Sequence, residues 1–336
     1  MAGTSLGYAE RLSWRDDVGG TLGDPELSEP DADDLERKID RLAELFRDAK
    51  DGVVVHTGAG ISTTAGIPDF RGPKGVWTLQ KKGEPIPPAK CSFDRARPTP
   101  THMALVELQR AGFVRYLVSC NVDCLHIRSG FPRDRLAELH GNCFAERCDT
   151  CGSEYIRDFE MPSVGFKPTG RRCVAVKGKR RCSGQLRDQV LDWDDALPPK
   201  ELRAAERHSR EASLSLVLGS SLQIIPSCNL PLKTVRGGKG KLAIVSLQKA
   251  AAAAKARTAA TTPSKAGQGR VAILDSVTGE DPAWSRCFRH LMLPPGRLHR
   301  HNDNPGDSVR WVRSAPSPDK SQPPVGSVLS DKSTGS

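Results

Sequence analysis

Four short apolar runs, each followed by small or polar residues and separated by stretches of helical periodicity, predict an α/β fold built on a doubly wound parallel sheet. The runs cover residues 53–56, 116–119, 214–218 and 242–245, each of buried-strand length. They end in Thr57-Gly58-Ala59-Gly60, Cys120-Asn121-Val122-Asp123, Gly219-Ser220-Ser221 and Ser246-Leu247-Gln248. Ligands of such sheets lie beyond the carboxyl ends of the strands, so these endings mark the expected site.

Each element has its own sequence signal. Residues 33–50 place Leu35, Ile39, Leu42, Leu45 and Phe46 at helical spacing, with Asp33 or Asp34 as the cap, and so predict an amphipathic helix. Helical stretches at 101–111 and 200–212 lie between the later strands. Residues 141–187 interrupt the alternation with paired cysteines, basic side chains and glycines, as an inserted module would. From Ala250 the chain is of low complexity, and its end is rich in Pro, Ser, Asp and Arg, so 294–336 is expected to be a disordered tail. Between them, 271–274 and 283–293 are expected to supply a last strand and helix. The predicted organisation is an N-terminal segment (1–32), a discontinuous Rossmann-like domain (33–140 and 188–293), a module at 141–187 and the tail.

Composition narrows the function classes. A chain of 336 residues suggests about two domains, or one larger unit with insertions. Its apolar runs fall far short of the roughly 18 residues a membrane helix needs, so no membrane partner is expected. Residues 1–17 lack the basic-then-apolar order of a secretory signal, so the ten cysteines read as metal ligands or free thiols before disulfides. The net charge of +10 is unevenly spread: residues 1–50 carry an excess of acid, whereas 165–187 hold eight Lys or Arg and no acid. Such a basic stretch suits a polyanion, or is simply a solvated loop.

The glycine turn Gly58-Ala59-Gly60, with Ile61 and Thr63 after it, allows backbone N–H groups to approach a phosphate at a helix start. Its GxGxxG spacing is incomplete, because Thr63 stands where the third glycine would be. Asp69, Phe70 and Arg71 follow in one tight loop, where an aromatic ring can cover a nucleotide and the arginine offers a forked donor to phosphate or ribose oxygens. Cys148-x2-Cys151 and Cys173-x8-Cys182 supply four soft ligands in two pairs, which suits a closed tetrahedral Zn²⁺ site.

Taken together, GAGIS, GIPDFRG, NVD, LHG and the paired-cysteine module resemble the sirtuins, NAD-dependent protein deacylases. The segments GVWTLQKKGE, THMALVEL, RSGFPRDRLAELHGN, LDWDDALP and SLQIIPSCNLPL resemble their nuclear sirtuin-six-like branch, and SLGYAERLS looks like the plant-type start of that branch. The resemblance covers residues 5–248 and fades after Lys249. It implies NAD as cofactor, structural zinc, a nuclear location, and acylated histone or other protein lysines as substrates, with chromatin as partner.

The same resemblance implies site roles. His140, in the HG dipeptide, is the general base that takes a proton from a ribose hydroxyl. The acyl oxygen of a modified lysine attacks the anomeric carbon of the nicotinamide ribose, nicotinamide leaves, and the acyl group ends on ADP-ribose. Asn121 and Asp123 hold nicotinamide and its ribose in the reactive pose. Val122 offers its backbone to the acyl-lysine and Trp193 lines the lysine channel. Trp77 belongs with Phe70 at the cofactor, and Gly219, Ser220, Ser221 and Gln248 meet phosphate and adenosine ribose. His56, His102 and His126 receive no role. Three positions depart from the family: Cys120 replaces a Gln, Ser246 an Asn, and Cys124 a small residue, usually Gly. Weakened NAD affinity or slow turnover is therefore expected. A catalytically impaired chromatin-binding homologue and a protein mono-ADP-ribosyltransferase are the alternatives.

Overall fold

The computed structural model describes residues 8–248, apart from 14, 28–30, 88–90, 179 and 237–239, together with the backbone strand at 271–275. All of them fall in one compact unit that ends at Pro294. The predicted helix at 283–293 and the predicted tail at 294–336 lie outside the described residues.

A single turn, α1 (Tyr8–Arg11), precedes α2 (Ala32–Asp48). The cap of α2 is Asp31, whose carboxylate accepts the Asp34 N–H at 2.7 Å, rather than Asp33 or Asp34. Those two acids lie in the first turn, where they favour the positive end of the helix dipole. Then come β1 (Val53–Thr57), α3 (Val76–Lys82), α4 (Pro100–Arg110), β2 (Val114–Ser119), α5 (Leu125–Arg128) and β3 (Leu136–Glu138). The inserted part contains β4 (Gly141–Cys148), β5 (Glu154–Ile156), β6 (Pro168–Arg172), β7 (Val176–Lys177), β8 (Arg180–Arg181) and β9 (Gln185–Val190). The chain returns through α6 (Pro199–Glu211), β10 (Leu214–Leu218), α7 (Leu232–Val235), β11 (Lys241–Ser246) and β12 (Val271–Asp275).

The main sheet has the order β12-β11-β10-β1-β2-β3, with every neighbouring pair parallel. The chain builds outward from β1 in one direction through β3 and in the other from β10 to β12, so the crossover reverses between β1 and β10. A crevice opens at that reversal, and it is where a doubly wound sheet binds its ligand. The predicted last strand is present as β12.

Alternation along β1 explains how the sheet is covered on both faces. Val53 and Val55 join Leu214 and Leu216 under Ile39, Leu42 and Phe46 of α2 and Leu105 and Leu108 of α4. Val54 points the other way, joining Tyr116 and Val118 against Ala205 of α6. The inserted part forms its own antiparallel sheet, β5-β4-β9-β6, and a small β7-β8 hairpin. No helix of the described residues is long and apolar enough to cross a membrane.

Candidate active site

A cavity of ≈ 910 Å³ opens at the carboxyl ends of β1, β2, β10 and β11. Gly58, Ala59, Gly60, Ile61, Thr63, Asp69, Phe70, Arg71 and Trp77 line it from the β1 side. Cys120, Asn121, Val122, Asp123, His140 and Trp193 form its floor and one end, and Gly219, Ser220, Ser221, Ser246 and Gln248 the other. Every residue assigned from sequence to cofactor, substrate or catalysis therefore meets in one cleft. Its volume lies at the upper end of the range for small-molecule sites, as a ligand the size of a dinucleotide requires.

The glycines of the first turn line the cleft and also bring two loops together. Gly60 N–H donates to the Gly219 carbonyl at 2.9 Å. A Cβ on Gly58 would stand 2.7 Å from that oxygen, and one on Gly60 2.9 Å from Gly219 Cα. Only glycine lets the loops after β1 and β10 touch this closely. The turn leads into short 3-10 turns at Ala59–Ile61 and Thr63–Ala65 rather than the expected α-helix start.

The loop after β2 is held by side-chain hydrogen bonds. Asn121 Nδ2 donates to the Gly58 carbonyl at 3.0 Å and to Ser62 Oγ at 3.3 Å, and the Ser62 hydroxyl donates to Asp123 Oδ2 at 2.7 Å. Asp123 Oδ1 accepts the Leu125 N–H at 2.9 Å and so starts α5. Cys124, between them, has φ 64°, a left-handed conformation that the small residue of the resemblance adopts more easily.

His140 sits at the β3–β4 junction, with Nδ1 3.1 Å from the Cys120 carbonyl and Nε2 3.5 Å from Ser227 Oγ. A carbonyl only accepts, so Nδ1 carries the proton and Nε2 keeps its lone pair. Burial lowers the His140 pKa, partly offset by the Cys120 carbonyl, and so favours the neutral imidazole. Gly141 is required behind it: at φ 85°, a Cβ there would lie 1.7 Å from the Gln189 carbonyl. Burial pushes the Cys120 thiol up to about 11, against a hydrogen bond from Ser227, so it stays protonated.

Arg71 lines the cleft and is seated against the N-terminal segment. Its guanidinium donates to the Gly19 carbonyl at 2.6 Å and the Val18 carbonyl at 2.9 Å, and packs over the Trp77 ring with 4.9 Å to the centroid. The N-terminal segment crosses the cleft mouth here. Thr21 N–H donates to Gln223 Oε1 at 2.7 Å, and the Leu27 N–H to the Leu247 carbonyl at 2.7 Å. Tyr8 and Leu12 line the cleft, and Tyr8 packs edge-on against Phe70 with centroids 6.2 Å apart. Phe70, Trp77 and Trp193 continue this aromatic column at 4.6 and 4.9 Å. The part of the N-terminal segment at Val18 and Gly19 has no sequence signal, because it is held there through backbone carbonyls.

In the inserted part, the sulfurs of Cys148, Cys151, Cys173 and Cys182 all lie within 4.8 Å of one another. The Cys148–Cys182 and Cys151–Cys173 pairs are 3.7 and 3.5 Å apart. Four thiolates tetrahedrally bound to Zn²⁺ at about 2.3 Å would have edges of about 3.8 Å, so the donor set and its spacing fit zinc.

The comparisons with known proteins agree with this architecture. A family profile described as Sir2 family matches residues 86–226. The NAD-dependent protein deacetylase Sirt6 of Drosophila melanogaster is 48% identical over 248 residues, 73% of this chain and 76% of that protein. The chain belongs to the Sir2 family. Within it, the chain is similar to the NAD-dependent protein deacetylase SRT1 of Arabidopsis thaliana, at 56% identity over 245 residues, 73% of this chain and 50% of that protein. It thus spans about half the length of the plant relatives it matches. A solved structure described as Sir2-p53 peptide-NAD+ superimposes with a TM-score of 0.51 at 28% identity, covering 74% of this chain and 96% of that one.

Proposed function

We propose that this protein is a NAD-dependent protein-lysine deacylase that moves the acyl group to ADP-ribose and releases nicotinamide. It acts in the nucleus on acylated histone or other protein lysines, with chromatin as its partner. The Rossmann-like domain at 33–140 and 188–293 carries the reaction, and the module at 141–187 carries a structural zinc. Support comes from relatives named as NAD-dependent protein deacetylases and from a solved relative described with NAD+ and a p53 peptide.

The observation that carries the reading is the seat of His140. Its Nδ1–H is held by the Cys120 carbonyl and its basic Nε2 is in the cleft wall, beside Asn121 and Asp123. NAD supplies an anomeric carbon with nicotinamide as its leaving group. Asn121 and Asp123 orient that end, His140 accepts a ribose hydroxyl proton, Val122 and Trp193 hold the acyl-lysine, and Phe70 and Trp77 exclude water. Ser220, Ser221, Ser246 and Gln248 hold the adenosine end.

The test is nicotinamide release from NAD with an acetylated histone peptide. His140→Tyr is expected to reduce it by at least the 10²- to 10⁴-fold typical of a general base; release unchanged in this variant contradicts the assignment. Cys120 favours a second reading, an impaired chromatin-binding homologue, because its protonated thiol stands where the resemblance implies an amide. Nucleosome binding that survives His140→Tyr, with little turnover in the wild type, supports that reading. A rise in turnover on Cys120→Gln locates the defect.

A further inference from the structure

From Thr57 in the cleft wall a buried polar chain runs inward, and the reaction, as described, does not use it. Thr57 and Ser119 face each other as parallel neighbours at the ends of β1 and β2, and the Thr57 hydroxyl donates to Ser119 Oγ at 3.0 Å. Ser119 Oγ also accepts the backbone N–H of Asn121 at 3.0 Å. From the other side, His126 of α5 places Nε2 2.9 Å from Thr57 Oγ1. With the Thr57 proton given to Ser119, that nitrogen is the donor. The three side chains are 1%, 0% and 2% exposed.

Polar groups at this depth are as a rule hydrogen-bonded, as they are here except at His126 Nδ1. Valine or alanine would fill the same strand ends with fewer obligations, so the polar choice needs a reason, and the terminus of the chain supplies one. It ends on the peptide of Asn121, whose side chain is fixed independently by Gly58 and Ser62. Backbone and side chain of that residue are thus clamped from opposite sides.

We propose that Thr57, Ser119 and His126 are positioning residues, which fix the Asn121 peptide and thereby the angle at which its side chain meets the nicotinamide end of NAD. This rests on the reading of the cleft given above. The three act through Asn121 and transfer no proton to the substrate.

Thr57→Val keeps the volume and removes the hydroxyl. It is expected to lower kcat for nicotinamide release about tenfold with KM for NAD within about twofold, because small misplacement of a positioning group costs rate rather than binding. Thr57→Ser restores the rate. Amide exchange followed by NMR is expected to quicken at Asn121 in Thr57→Val while the core of the sheet keeps its protection. Unchanged kcat and unchanged Asn121 exchange overturn the proposal; so does faster exchange throughout the sheet, which marks a merely structural role. If the wild type releases no nicotinamide, the functional reading fails, and the exchange comparison alone still decides this one.

Discussion

The two sheets of this molecule are held together in different ways. The parallel sheet is covered on both faces by apolar side chains, among them Phe46, Leu105, Leu117 and Leu214, all under 2% exposed. Around the cysteines of the inserted part only Cys148, Cys173 and Leu186 form a buried cluster, and Val174 and Val176 stand exposed. Away from the cysteines it buries Phe144, Met161 and Val164 at 2% exposure or less, and Glu146, with its side chain fully buried, accepts from Arg157 at 2.9 Å and Arg171 at 2.6 Å. The large sheet is covered on both faces by apolar side chains, whereas the cysteine end of the small one has little to bury and needs its four sulfurs tied together.

Metal removal should expose that contrast most strongly. Structural Zn²⁺ contributes apparent binding free energies of about 10–16 kcal/mol in small domains. Chelation, or Cys148→Ala, is expected to abolish stoichiometric zinc and open amide exchange across β4–β9, while β1, β2 and β10 keep their protection. Equal loss in both sheets would erase the distinction. The reverse experiment is Phe46→Ala, which leaves a cavity under α2 and is expected to cost about 3–5 kcal/mol. Thermal melting should fall for the parallel sheet, with zinc still bound; zinc released at the same temperature would show one cooperative unit.

A smaller effect lies where the sheets meet. Glu138, at the end of β3, is buried, and burial pushes its carboxyl up to about 8 against the pull of Arg133 and the Asn142 amide, which donates to Oε1 at 2.8 Å. The unfolded carboxyl titrates near 4.5, so between that value and about 8 the native state holds a proton that the unfolded state has lost. Stability from this group is full below pH 4.5 and declines as pH rises through the window. Glu138→Gln is expected to raise the melting temperature relative to wild type more at pH 8.5 than at pH 5. An equal difference at the two values would show that Glu138 is ionised throughout.

The contrast also explains what the sequence made legible. Strands β1, β2, β10 and β11 are readable because burial on both faces demands continuous apolar runs, and their polar endings locate the cleft without any motif. The cysteine pairs were readable because zinc fixes its ligand types. Strand β3 was not: its three residues, Leu136, Ala137 and Glu138, are too few to show a period and carry a buried acid. The N-terminal segment across the cleft, and with it the seat of Arg71, was hidden because it is held by the carbonyls of Val18 and Gly19. The glycines at 58 and 60 were found for a ligand contact, yet their closest neighbour is Gly219.

On the proposed reading, one cleft brings NAD to His140. A crystal structure of the full chain with NAD and an acetylated lysine peptide tests it most directly. The nicotinamide ribose is expected between Asn121 and Asp123, with a ribose hydroxyl within hydrogen-bond distance of His140 Nε2. NAD absent from the cleft, or bound with that ribose away from the imidazole, would contradict it.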